Sequence, residues 1–455
     1  MAEKKSKKID SRTVRRRRRI RSVILSYFAM AVILVAIGAG IFFGVKKVAN
    51  VISDKKAQIA AEQAAIAEAA QAQQEAQIQA ELEAYENPPE EEVAEEEVVE
   101  EEYTEEDLLD EVVNSCISEM SIEDKVAGLF IISPEQLTGQ DKVTKAGDGT
   151  KEAIETHPVG GIVYSSQNVK DADQLTEMLA NTVSYSKYPI FLAASEGLGD
   201  ESILRKTLKL DGYKSAEELG ESGDSNLTYE SYKSIGEYMT TYGFNLDFSP
   251  SADITVDGVD NKSGGVSFGQ DVMVAGNLVA ASVEGLNDSG VTAAIKFFPG
   301  QGTADANTSE GMASITRTKD EFVNNEMSVF SAGISAGAKM IMVGHVKDAE
   351  LTGDETLPCS MSKELMTETL RGEFQYNGVI ITDSLSKKAI TEYYSADDVA
   401  IKALKAGADM LLMPEDFELA YNAVVDAVKE GTISEQRIND SLARVYRIKY
   451  QSTIE

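Results

Sequence analysis

The sequence predicts an α/β chain folded as a (β/α)8 barrel of the TIM type, preceded by a single transmembrane helix and a long stalk. Three observations carry that fold class. Beyond residue 105, eight short, β-branched apolar runs alternate with helix-like stretches, at 128–133, 160–165, 189–195, 244–251, 292–298, 338–345, 378–383 and 408–414. A run apolar on successive residues is a strand buried on both faces, the mark of a parallel sheet. Three of the runs end in a chemically capable side chain: Lys296 in TAAIKFF, His345 in AKMIMVGH and Asp383 in GVIITD. Barrel strands present their working residues at their C-terminal ends. A doubly wound open sheet gives similar local signals, but a count of eight favours the barrel.

The elements follow in order. Residues 1–21 carry KKSKK and RRRRR and read as a basic cytoplasmic tail. Residues 22–45, SVILSYFAMAVILVAIGAGIFFGV, are uncharged and long enough at helical rise to span roughly 30 Å of hydrocarbon. A cleaved signal peptide has a shorter apolar core and a small-residue cleavage site. The basic cluster before the span places the N-terminus inside and everything after it outside. Residues 46–104 form a tether. Its first part, rich in Ala, Gln and Glu without Gly or Pro up to Asn87, reads as a helix, either a short coiled-coil stalk or a solvated single helix. Its Glu/Val run repels itself and reads as an extended, disordered spacer. The barrel takes residues 105–455, with helices between its strands, for example Ala172 to Ser184 and Ala275 to Asp288.

The formal net charge of −33 lies in the body of the chain and not at its basic start. Phosphate contacts need clustered Lys and Arg, so nucleic acid is not an expected partner. Cys116 and Cys359 stand far apart and are expected as unbridged thiols, although an outside location permits a disulfide. No metal-ligand spacing, Gly-rich phosphate loop or Ser/His/Asp set appears, so no cofactor is expected.

Asp383 is the leading candidate for chemistry, as nucleophile, base or metal ligand; the bland reading is a helix cap within Thr382-Asp383-Ser384. Lys296 suits hydroxyls of a polar ligand, or pairing with a carboxylate. His345 suits ligand binding, or a hydrogen-bonded structural role. Glu196, ending PIFLAASE, and Asp253 are weaker strand-end carboxylates. His157 precedes Pro158 at the start of a strand, on the face of a barrel that serves stability.

Residues 118–450 resemble the N-terminal barrel domain of glycoside hydrolase family 3, in its β-N-acetylhexosaminidase branch. The resemblance rests on MSIEDKVAGLF, VGGIVYSSQNVKDADQLTEML, YGFNLDFSPSADI, SFGQD, EGLNDSGVTAAIKFFPGQG, MVGHV, GVIITDSLSKKAI and ALKAGADMLLMPED, in family order. It implies a retaining glycosidase whose nucleophilic aspartate matches Asp383, with a glycosyl-enzyme intermediate and a separate acid/base. It also implies a carbohydrate partner, peptidoglycan or another β-glycoside, bound with help from Lys296, His345 and Glu196.

Several motifs depart from the family pattern. Lys-His-Phe-Pro-Gly-His-Gly reads with Phe297 and Gln301 in place of both histidines. The Asp-Ser-His triplet that carries the acid/base reads Asn307-Thr308-Ser309. Asp-Gln/Glu-Glu-Gly-Gly-Arg reads Ala194-Ser195-Glu196-Gly197-Leu198-Gly199, and the arginine before Ser-Phe-Gly is Val266. Asp305 and Glu310, on the same loop, are the carboxyls able to replace the lost acid. Three readings stand: an active cell-surface glycosidase, an inactive barrel that binds glycan or a protein, and a rigid scaffold on a stalk.

Overall fold

The computed structural model describes residues 104–454, except 200, 201, 211, 257, 258, 260, 261, 264 and 265. The expected tail and transmembrane helix, and the expected tether up to residue 103, lie outside the described residues. Among the described residues no helix is long and apolar enough to cross a membrane.

All eight expected strands form: β1 Phe130–Ile132, β2 Gly161–Val163, β3 Phe191–Ala194, β4 Leu246–Asp247, β5 Thr292–Phe298, β6 Met340–Val343, β7 Val379–Ser384 and β8 Met410–Leu412. Each pairs in parallel with its sequence neighbours, and β1 pairs with β8, so the sheet closes. Side chains alternate between the two faces of a strand. Ile131, Ala193, Leu246, Ala294, Met340, Met342, Val379, Ile381 and Met410 pack as one cluster inside the barrel. Their neighbours Phe130, Ile132, Leu192, Ala194, Ile295, Ile341, Val343, Ile380 and Leu411 pack outward, in the layer shared with the helices.

The helices begin where the sequence supplies caps. Asp171 accepts from Gln174 N at 2.9 Å and opens Ala172–Tyr185. Asp271 accepts from Met273 N and Val274 N, both at 3.0 Å, so the helix expected from Ala275 starts earlier, at Val272, and runs to Asp288. These side-chain oxygens satisfy amide donors that have no partner within the helix.

The N-terminal end of the barrel is a structural base. The last helix, Glu435–Ile454, sends Val445 and Ile448 into the inner cluster. Asp409, fully buried before β8, accepts from Ile380 N at 2.9 Å, Ser441 Oγ at 2.7 Å and Arg444 at 3.1 Å, and is ion-paired with Arg371. His157 meets Phe417 and Tyr421 edge-on, at centroid distances of 5.4 and 4.8 Å, in keeping with a packing role. Neither Cys116 nor Cys359 is in a disulfide.

Candidate active site

Strand parity decides which residues reach the mouth of the barrel. Asp383 continues the inward series Val379, Ile381, and Lys296 continues Thr292, Ala294. Both are buried at the C-terminal end. Asp383 Oδ1 accepts from Ser384 N at 2.7 Å, and Oδ2 lies 2.6 Å from Lys387 Nζ. Burial pushes the Asp383 carboxyl up, but the Lys387 ammonium, chiefly, holds it below its ordinary range. The site therefore contains a buried, ionised carboxylate.

Lys296 Nζ donates to Ser195 Oγ at 3.2 Å. Behind it stand two buried carboxyls. Asp247 accepts from Glu196 N at 2.8 Å and from Ser249 Oγ, and burial raises it well above the usual carboxylate range. Asp253 accepts from Gln301 N at 2.8 Å, and burial pushes it up to about 7. That bond pins the loop after β5 to the segment after β4. The approach is so close that a Cβ on Gly302 would stand 2.0 Å from Ile254 O, which makes glycine obligatory there.

Two expected ligands are placed elsewhere, for the same reason. His345 and Glu196 fall on the outward parity of β6 and β3. His345 is fully buried, with Nδ1 2.8 Å from Ser360 Oγ and Nε2 2.9 Å from Ser384 O. A carbonyl only accepts, so Nε2 carries the proton and Nδ1 accepts from the hydroxyl. Burial lowers the pKa of this imidazole, which braces β6 to the end of β7 with no nitrogen left for a sugar. Glu196 is equally spent. It accepts from Ile203 N at 2.8 Å, Leu204 N at 2.7 Å, Tyr238 Oη at 2.6 Å and Ser202 Oγ, and burial raises its pKa. It anchors the loop after β3 with both of its oxygens engaged.

The loop after β5 turns a different residue inward from those expected. Asp305 and Glu310 are exposed, and Asp305 Oδ1 accepts from Ser314 N at 2.7 Å. Thr308 is buried; its carbonyl accepts from Ala389 N at 3.0 Å, and its Oγ1 lies 3.4 Å from Lys387 Nζ. Lys387 and Thr308 thus join Asp383 and Lys296 at the mouth. Lys387 stands four positions after Asp383, a spacing that signals an ion pair wherever the chain turns helically. Among the described residues no group of His, Cys, Asp and Glu is arranged to hold a metal.

A paired, ionised carboxylate at the end of β7 can attack an electrophilic carbon once its lysine moves aside. An ammonium, hydroxyls and Phe297 beside it can hold a sugar.

Residues 121–448 match the family model described as Glycosyl hydrolase family 3 N terminal domain. The chain is 28% identical over 340 residues to beta-hexosaminidase LpqI of Mycobacterium tuberculosis, covering 72% of this chain and 83% of that protein. It is 25% identical over 326 residues to beta-hexosaminidase A of Pseudoalteromonas piscicida, covering 66% of this chain and about half, 54%, of that longer relative. Among solved structures it resembles a glycoside hydrolase family 3 beta-N-acetylglucosaminidase from a Paenibacillus species, with a TM-score of 0.67 and 26% identity, over 74% of this chain and 63% of that one. A family 3 glycosyl hydrolase of Mycobacterium smegmatis superposes with a TM-score of 0.64 and 26% identity, over 73% of this chain and 98% of that one.

Proposed function

Because this chain belongs to glycosyl hydrolase family 3, we propose that it is a β-N-acetylhexosaminide hydrolase with Asp383 as nucleophile, working by retention. Membrane anchoring through residues 22–45 would present it to peptidoglycan or another β-linked aminosugar outside the cell; the basic cluster ahead of the apolar run supports this orientation. The observation that carries the reading is the Asp383 carboxylate, buried at the C-terminal end of β7 and kept ionised by Lys387.

In the first step an Asp383 oxygen bonds to the anomeric carbon as the bond to the leaving oxygen breaks. In the second, water attacks the same carbon, its spare proton passes to solvent, and Asp383 departs as carboxylate. Proton donation to the leaving oxygen falls to Asp305 or Glu310 only if the loop turns one of them inward; the inward side chain, Thr308, is no acid. Turnover should therefore depend steeply on the leaving group, since acid assistance is worth roughly 10²–10⁴-fold.

A second reading, sugar binding without cleavage, is favoured by one observation: both oxygens of Asp383 are engaged, by Ser384 N and by Lys387. Hydrolysis of 4-nitrophenyl β-N-acetylglucosaminide by the full-length chain, beside Asp383→Asn, separates the two. Release that Asp383→Asn abolishes supports the hydrolase. Equal background release from both leaves the binding reading.

A further inference from the structure

Lys387 is more than a counter-ion to Asp383. Its side chain is 21% exposed against 5% for Asp383, so the ammonium lines the mouth while the carboxylate lies beneath it. Lys387 Nζ stands 5.1 Å from the Phe297 ring centroid and Lys296 Nζ stands 5.4 Å from it, so two ammonium groups flank one aromatic ring. Lys296 Nζ donates to Ser195 Oγ, and the carboxyls that feel its charge, Asp247 and Asp253, are both pushed toward the neutral form by burial, so they answer it only in part. The mouth thus has a cationic excess beside a nucleophile that is ion-paired when empty.

An oxygen held 2.6 Å from an ammonium is a poor nucleophile until the ammonium finds another partner. A neutral sugar offers only hydroxyls; a carboxylate on the sugar offers a full exchange. We propose that the site selects a β-linked sugar bearing a carboxylate, which takes Lys387 from Asp383 and frees the nucleophile as it binds. Lys387 is then the specificity-determining residue. This rests on the hydrolase reading for its catalytic half, but the binding preference stands without it. The carboxylate can come from a uronic acid ring or from a lactyl ether on an aminosugar, and both present the same anion.

The test is calorimetric binding of three 4-nitrophenyl β-glycosides to the full-length chain: the N-acetylglucosaminide, the glucuronide and the N-acetylmuramide. At least one anionic glycoside should bind about tenfold or more tighter than the neutral one, and which one identifies the source of the carboxylate. Lys387→Arg should keep most of that gap. Lys387→Met, and Lys387→Gln should the former fail to fold, should erase it. Equal binding of all three, binding of none, or a gap that survives loss of the charge overturns the inference. Nitrophenolate release is followed in the same samples. A preference without release removes the hydrolase reading alone, and release without a preference removes the inference alone.

Discussion

Thr308 gives the account its sharpest test, because a single substitution there should restore the missing half of the chemistry. Thr308 Oγ1 lies 3.4 Å from Lys387 Nζ, which lies 2.6 Å from Asp383 Oδ2. Those contacts place the two oxygens within about 6 Å of each other, close to the roughly 5–5.5 Å between the carboxyls of a retaining pair. Thr308→Asp puts a carboxyl in nearly the same space. Burial and the neighbouring Asp383 carboxylate both raise the new group against the pull of Lys387, whose charge Asp383 already engages at 2.6 Å, since like charges around one ammonium cannot both ionise freely. It should therefore be available as an acid. Hydrolysis of methyl β-N-acetylglucosaminide, whose leaving group needs a proton, should rise by about 10²–10⁴-fold, while the 4-nitrophenyl glycoside changes by less than about tenfold. Thr308→Asn is the control for shape. If the Asp and Asn variants behave alike on both substrates, the loop does not face the leaving group and the reasoning fails.

Three further outcomes follow from the same contacts. Asp383 is held below its ordinary range, so its ion pair stabilises the fold above the unfolded carboxyl value of about 3.9, and that contribution is lost as pH falls through the lowered folded value. Lys387→Met removes the chief opposition to burial, so the acid limb of the pH–rate profile should move toward neutrality; an unmoved limb contradicts the pairing. His345 is buried and neutral, so as pH falls below about 6.5 the unfolded chain takes up a proton that the folded chain refuses, and stability declines. His345→Asn should flatten that decline in urea titrations between pH 7 and 5, and a parallel slope would deny it. At the base, Asp409→Ala strips the partner from the half-buried Arg371 and should cost about 3–5 kcal/mol in denaturant unfolding; a loss under about 1 kcal/mol would show that the arginines re-pair.

Much of the fold was legible because buried parallel strands are apolar on every residue and then stop. All eight runs became strands, and the inward placement of Asp383 and Lys296 follows from counting by two along β7 and β5. The same count, carried past the strand ends, assigns Glu196 and His345 to the outward face, where helix amides and Ser360 occupy them. Polarity at a strand end says that a residue is near the mouth; parity says whether it enters. Asp305 and Glu310 are candidate acids by residue type and by their place on the loop after β5. Their exposure, and the inward turn of Thr308, depend on Lys387 and Ala389 holding the loop from the segment after β7, a contact no local pattern encodes. The strongest local clue left unread was the spacing from Asp383 to Lys387.

The central claim is that Asp383 forms a covalent bond to the sugar. The most direct measurement is intact-mass and peptide mapping of the full-length chain after incubation with a 5-fluoro N-acetylglucosaminyl fluoride, whose good leaving group needs no acid and whose glycosyl-enzyme breaks down slowly. The account predicts one sugar adduct per chain, mapped to Asp383 and absent from Asp383→Asn. An unmodified chain, or an adduct on any other residue, would contradict it.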